Sequence, residues 1–340
     1  MSMRYRSLGK SGVQVSELCL GTMMFGGVTN ERDSTRIIHR AIEEGINFID
    51  TANVYAKGES ERVVGKAIRD RRDRVFLATK VRVAVGDGPN DSGCSRYHIL
   101  REVENSLRRL GLEHIDLYYL HQYDYATPLE ESLRALDDLV RQGKVRYIGC
   151  SNYYGFQLIE GLWKSDRDHL ERFACTQPLY NIVNRDPEVE LFPACRAYGV
   201  GVAPYSPIAR GVLTGKYKVG EVFPEGSRAA RKDKRIQETE LRNESLQIAQ
   251  QIAAHAASQN VPLSQFALAW VLANPIVSSA IIGPRTMEQY EDNLKALEYK
   301  YTLADEKLVD SLVPPGEHTG KGYNDPSYPV RGRPTSSCEA

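Results

Sequence analysis

The sequence predicts an α/β protein built as a (β/α)8 TIM barrel, and three observations carry that reading. Eight short apolar segments recur from Cys19 onward: CLGT (19–22), NFID (47–50), VFLATK (75–80), IDLYYLH (115–121), RYIGCS (146–151), FACTQ (173–177), GVGVAPYS (199–206) and SSAIIG (278–283). Longer amphipathic stretches such as ERDSTRIIHRAIEEG (31–45) and SRYHILREVENSLRRLG (95–111) lie between them. Parallel strands need helical crossovers, so this alternation argues for a closed parallel sheet. An open doubly wound sheet would carry a Gly-rich turn after an early strand, and none stands there.

The elements follow in order. Residues 4–18, RYRSLGKSGVQVSEL, read as two short strands around Gly9–Gly12, a hairpin ahead of the barrel. In the 95–111 stretch Ser95 is the expected N-cap and Gly111 the expected residue just past the end. Residues 207–240 form a long loop after the seventh strand. Two helical patterns fill 241–274, separated by Asn260-Val261-Pro262. The tail from Val313 to Ala340 holds five Pro and four Gly, which reads as an extended segment and not a helix. Two tyrosines among those prolines, Tyr323 and Tyr328, suggest an ordered strap. The expectation is one domain over 1–340, with the barrel at about 19–300.

Composition excludes several classes. Lys plus Arg and Asp plus Glu are 44 each, so the balanced charge argues against nucleic-acid or anionic-membrane partners. The N-terminal stretch lacks the apolar core of a signal peptide, and no run is long enough to cross a bilayer, so a cytoplasmic location is expected. Cysteines at 19, 94, 150, 175, 195 and 338 form no CxxC pair and are expected as reduced thiols; no metal is expected.

Four residues carry the chemistry: Asp50, Tyr55, Lys80 and His121, each at the end of an expected strand or in the loop after it. A free phenol ionises near ~10, too high for ready donation at neutral pH. A buried Lys80 ammonium would stabilise the phenolate and lower that value, Asp50 would keep Lys80 charged, and His121 could hydrogen-bond a substrate oxygen. Taken singly each has a bland reading: a cap, loop packing, a solvated lysine, a core histidine. All four at strand ends in this order point to a proton-donating site.

The segments DTANVY, ATK and LYYLH resemble the catalytic motifs of the aldo-keto reductases, and the resemblance runs from about Arg4 to Leu312. It implies a (β/α)8 barrel whose bottom is plugged by the hairpin, an NADP(H) cofactor held without a Rossmann fold, and the Asp50, Tyr55, Lys80, His121 tetrad. Ala56 departs from the Gly that many members carry after the Tyr. Ser151-Asn152 resembles the family's GxSN motif and, with Gln177, would hold the nicotinamide carboxamide; a helix N-cap is the alternative for the Ser-Asn pair. Gly21, Thr22 and Asp50 on one side and Ile282 and Gly283 on the other join the expected cofactor set. Tyr180 resembles the aromatic that stacks on the nicotinamide. The stretch from Tyr205, Ser206 and Pro207 through Gly211, Leu213, Gly215 and Lys216 resembles the pyrophosphate loop. GVLTGKY is one residue short of a P-loop, with Tyr217 in place of Ser/Thr, so an NTPase is rejected.

IIGPRTMEQYEDN (281–293) resembles the family's GxRxxxQxxxN pattern and the cofactor helix of potassium-channel β subunits. Arg285, expected in a first helical turn, would grip a 2′-phosphate, which implies NADP(H) over NAD(H). Gln289, Asp292 and Asn293 follow on one helical face. The basic run 227–235 reads as a solvated loop. Met24, Phe25, Tyr55, His121 and Tyr123, with the tail, are the candidate pocket for a small carbonyl or alcohol; a homo-oligomer stays open. One rival is a redox-sensing regulatory subunit on the same fold. A second is a lyase or isomerase with Lys80 as Schiff base.

Overall fold

The computed structural model describes residues 3–328, which group into two compact units. The first contains the chain through Pro178, Glu190–Tyr205 and Pro275–Glu291; the second contains Leu179–Val189, Ser206–Asn274 and the residues from Asp292 onward.

The first unit opens with the hairpin, β1 (Tyr5–Ser7) antiparallel to β2 (Gln14–Ser16). Its turn needs glycine: Gly9 has φ +56°, and a Cβ there would lie 2.3 Å from the carbonyl oxygen of Gly199. Leu8 and Val15 enter the same buried cluster as Cys19, Phe48, Ala78, Leu117, Tyr119, Cys175, Ala203 and Ile281 from the strands, so the hairpin plugs the core.

Eight parallel strands make the sheet: β3 (Leu18–Gly21), β4 (Phe48–Asp50), β5 (Phe76–Val81), β6 (Ile115–Leu120), β7 (Val145–Ser151), β8 (Phe173–Gln177), β9 (Gly201–Val202) and β10 (Ala280–Ile282). Neighbours follow chain order, with β10 beside β3. Bridges Val202–Val277 and Tyr205–Ile281 join the last edge, with Ser278 N–H donating to Val202 O (2.8 Å) and Ile281 N–H to Pro204 O (2.9 Å). That is the expected (β/α)8 barrel. The seventh strand is much shorter than the expected 199–206, because Pro204 has no N–H to give to a ladder.

Helices α1 (Glu31–Glu43), α2 (Glu59–Ile68), α3 (Arg96–Leu110), α4 (Leu129–Arg141), α5 (Gly155–Asp168) and α6 (Leu191–Tyr198) follow β3 to β8 in turn. The caps on α3 are those expected. Ser95 Oγ accepts from His98 N–H, and Gly111 takes the left-handed conformation at φ 65°. The second unit holds a 3₁₀ turn (Ala209–Thr214), α7 (Lys234–Glu238), α8 (Asn243–Ser258), α9 (Leu263–Ala273) and α11 (Leu303–Leu312); α10 (Met287–Lys295) carries residues of both units.

The tail up to Tyr328 is an ordered, non-helical strap within the second unit. Thr319 N–H donates to Val183 O (3.1 Å), Arg185 N–H to Glu317 O (2.9 Å), and the Arg242 guanidinium lies 4.0 Å over the Tyr323 ring. Pro329, Pro334 and Cys338 lie outside the described residues. Among the described residues no helix is long and apolar enough to cross a membrane.

Candidate active site

The strand register brings the four expected residues together. Asp50 closes β4, Lys80 lies near the end of β5, and His121 follows β6, with its N–H on Val81 O. Lys80 has no exposed surface. Its ammonium donates to Asp50 Oδ1 (2.5 Å), Thr51 O (2.7 Å) and Tyr55 Oη (3.2 Å), so all three of its donors are used. The Tyr55 ring meets His121 edge-on, with centroids 5.9 Å apart.

The electrostatics follow from burial. Burial pulls Lys80 down, but Asp50 and Tyr55 outweigh it and hold the ammonium charged to higher pH than usual. A charged, saturated amine is not a Schiff-base nucleophile. Burial, aided by Lys80 and Arg82, pushes His121 well below the usual imidazole range and keeps it neutral. Its Nδ1 is buried without a hydrogen-bond partner among the described residues. One expectation is corrected: the Tyr55 phenol is raised, not lowered. Lys80 pulls it down as anticipated, but burial is the larger effect and Asp50 adds to it.

A buried hydroxyl net supports this floor. Ser60 Oγ of α2 joins Thr22 Oγ1 (2.8 Å) and Thr51 Oγ1 (2.9 Å), and Thr22 Oγ1 donates to Asp50 O (3.0 Å). The sequence reading included Thr22 but missed Thr51 and Ser60, whose small polar side chains carry no pattern of their own. Gly21, beside Thr22, leaves room for Ile281, which a Cβ would meet at 2.7 Å.

The expected carboxamide residues gather beside this floor. Gln177 Nε2 donates to Asp50 Oδ2 (2.9 Å), and Ser151 Oγ donates to Gln177 O (2.8 Å). Asn152, at φ 59°, donates to His121 O (3.0 Å) and accepts from Tyr205 Oη (2.8 Å). Amides and hydroxyls joined this way fit a carboxamide, which both donates and accepts. Tyr205 is the aromatic at this place. Tyr180 is not available for the expected stacking: it is buried on Trp270 (centroids 4.9 Å apart), and its hydroxyl donates to Glu188 (2.6 Å) and accepts from Asn274 (3.2 Å). The signal for Tyr205 was present, since it lies at the C-terminal end of the seventh expected strand, one residue before Ser206, whereas Tyr180 follows Pro178 in a loop.

One pocket residue is also revised. Phe25 is fully buried and lines no open surface, while Met24 is partly exposed. Tyr123 packs on Tyr125 and Tyr153 and donates to Glu160 (3.3 Å).

In the second unit, positive φ recurs at Ser206, Ala209, Arg210, Gly211 and Gly215. The N–H groups of Ala209, Gly211, Leu213 and Gly215 donate within this turn, to carbonyls of Ser206, Ile208 and Val212, so the group it presents to an anion is the Lys216 ammonium. A Cβ on Gly211 would lie 2.9 Å from Lys216 Nζ, so the glycine makes room for that ammonium. Pro207 and Leu213 are buried.

Along the last segment, Ile282 is buried and Gly283 exposed. Arg285 precedes α10 and is not in its first turn. Gln289 and Asp292 are not laid out as expected. Gln289 Oε1 accepts from Arg285 N–H (2.9 Å), Asp292 is held by Ser264 and Gln265 (both 2.7 Å), and Asn293 is buried. Side chains so engaged cap and brace the helix.

Comparison with known proteins agrees with this geometry. The model of the aldo/keto reductase family matches residues 17–314. An uncharacterized oxidoreductase, YrpG, of Bacillus subtilis is 38% identical over 334 residues, covering 94% of this chain and 99% of that one. A probable voltage-gated potassium channel subunit beta of Oryza sativa subsp. japonica is 36% identical, covering 91% and 95%. The aldo-keto reductase AMT2 of Alternaria alternata is 33% identical, covering 93% and 94%.

Proposed function

The chain belongs to the aldo/keto reductase family, and from that premise we propose that it is an NADP(H)-dependent oxidoreductase reducing aldehydes or ketones to alcohols. The observation that carries the reading is the saturated Lys80, which ties Tyr55 Oη to Asp50 in a buried site. Bound nicotinamide supplies or accepts the hydride. The chain's own groups do the rest. Tyr55 gives its proton to the carbonyl oxygen. Lys80, already charged, takes up the phenolate without reorganising. Neutral His121 hydrogen-bonds the same oxygen, and the proton moves back by the same path in alcohol oxidation.

Ser151, Asn152 and Gln177 orient the carboxamide, and Tyr205 offers the flat face beside them. Lys216, in the turn shaped by Gly211 and Gly215, holds the pyrophosphate, and Arg285 holds a 2′-phosphate. The test is loss of NADPH absorbance with a panel of simple aldehydes and ketones. Many turnovers per chain support the reading; none with any carbonyl refutes it. The similarity to channel β subunits favours a second reading, a redox-sensing subunit, in which NADPH binds tightly but at most one turnover follows.

A further inference from the structure

The turn that carries Tyr55 is not one that its own backbone favours. Ala56 (φ 47°), Lys57 (φ 56°) and Gly58 (φ 91°) follow in the left-handed region, where a Cβ crowds the carbonyl of its own residue. Within the turn, Tyr55 N–H reaches Ala52 O (3.1 Å) and Lys57 N–H reaches Val54 O (3.1 Å). Beyond the hydrogen bond from Lys80 to the hydroxyl, the turn itself draws support from outside.

That support is a buried polar cluster on the far side of the loop. Asn53 Nδ2 donates to Glu102 Oε2 of α3 (3.0 Å), while Asn53 Oδ1 has no hydrogen-bond partner among the described residues. Glu102 Oε1 is fixed by Asn105 Nδ2 (2.7 Å). Arg109, two turns beyond Glu102 along α3, lies against the other end of the turn: a Cβ on Gly58 would be 2.8 Å from Arg109 Cδ. Its guanidinium donates to Glu61 Oε2 (2.5 Å) and to Ser106 Oγ (3.1 Å), with Glu102 at 3.6 Å. Glu61 Oε1 takes Thr79 Oγ1 (2.6 Å), which locks α2 to β5 one residue before Lys80. Glu61 and Glu102 are both buried, so each needs the partners it has. The cluster therefore grips both flanks of the turn, at Asn53 and at Gly58, and ties both to the strand that carries Lys80.

We infer that Asn53, Glu102 and Arg109 are positioning residues that set the Tyr55 hydroxyl over Lys80. This rests on Tyr55 being the proton donor. The test is a double-mutant cycle, read as single-turnover NADPH oxidation with benzaldehyde. Asn53→Ala lowers the rate about tenfold or more, since an ångström of misplacement of a catalytic group suffices for that, while the NADPH Kd stays near that of the wild type. In a Tyr55→Phe background the same change adds no further loss, because a residue acting through the phenol has nothing left to position. Glu102→Gln keeps an oxygen for Asn53 and retains the rate within about threefold.

An Asn53→Ala rate equal to wild type, or an equal loss in both backgrounds, overturns the inference. A wild-type rate in Tyr55→Phe alone overturns the proton-donor reading itself. If Asn53→Ala does not fold, Arg109→Lys, which keeps the charge beside Glu61 but loses the fork to Ser106, is put through the same cycle with the same criteria.

Discussion

Gln177 Nε2 donates to Asp50 Oδ2 at 2.9 Å while Lys80 Nζ donates to Oδ1 of the same carboxylate at 2.5 Å. One buried side chain thus joins the residue proposed to orient the nicotinamide carboxamide to the amine that serves the proposed acid. On the proposed function, hydride donor and proton donor are referred to a common anchor, which is how a rigid barrel floor can hold two reacting groups in register.

The first expected outcome concerns the acid. Tyr55→Phe keeps the ring and its edge contact with His121 but removes the hydroxyl. Turnover falls by several orders of magnitude while NADPH affinity holds. Steady-state kinetics together with a fluorescence titration of NADPH check this; near wild-type turnover would show that another group donates the proton.

The second concerns cofactor choice. Arg285→Ala weakens NADPH far more than NADH, since only the former carries a 2′-phosphate. A charge-assisted hydrogen bond is worth about 1.5–3 kcal/mol, or roughly a tenfold to hundredfold change in Kd. Titration of both cofactors decides it, and equal weakening would leave Arg285 a structural residue.

The third concerns the strap. Arg242 is half-buried and donates to Thr319 Oγ1 (2.9 Å) beneath the Tyr323 ring. Truncation after Val313 removes both partners and leaves the guanidinium with Val183 O and Asn184 Oδ1, a loss of about 1.5–3 kcal/mol for the charged hydrogen bond. A lower midpoint in urea denaturation is expected, with any change in KM for bulky carbonyls superimposed. An unchanged midpoint would mean that the strap contributes nothing to the fold.

The fourth concerns acid stability. His121 is held neutral, with its pKa depressed in the folded state. Above the free imidazole value of ~6.5 both states are neutral and the effect vanishes; below it the unfolded chain binds a proton that the folded one refuses. Stability therefore falls as pH drops through that window. Replacing His121 with Asn should lessen the loss measured between about pH 7 and pH 5 by urea unfolding. A loss as large as in the wild type would assign the acid sensitivity elsewhere, for example to His98, which burial also depresses.

Barrel and tetrad were legible along the chain because both have local signatures. Eight apolar runs at crossover spacing leave few topologies, and Asp50, Tyr55, Lys80 and His121 each sit at a strand end, where a barrel places its chemistry. Local rules also located Ser95 and Gly111 at the ends of α3. Other features turned on packing between distant segments. Whether the Tyr55 phenol rises or falls is a contest between burial and the Lys80 charge, and the degree of burial is not written in the order of residues. Choosing Tyr205 over Tyr180 required seeing which ring Trp270 had already covered. Gln289 and Asp292 lie on a plausible helical face, but their side chains are taken by Arg285 N–H and by Ser264 and Gln265. Periodicity and spacing are properties of neighbours in the chain. Dielectric environment and hydrogen-bond partners are properties of neighbours in space, so only the folded chain could decide them.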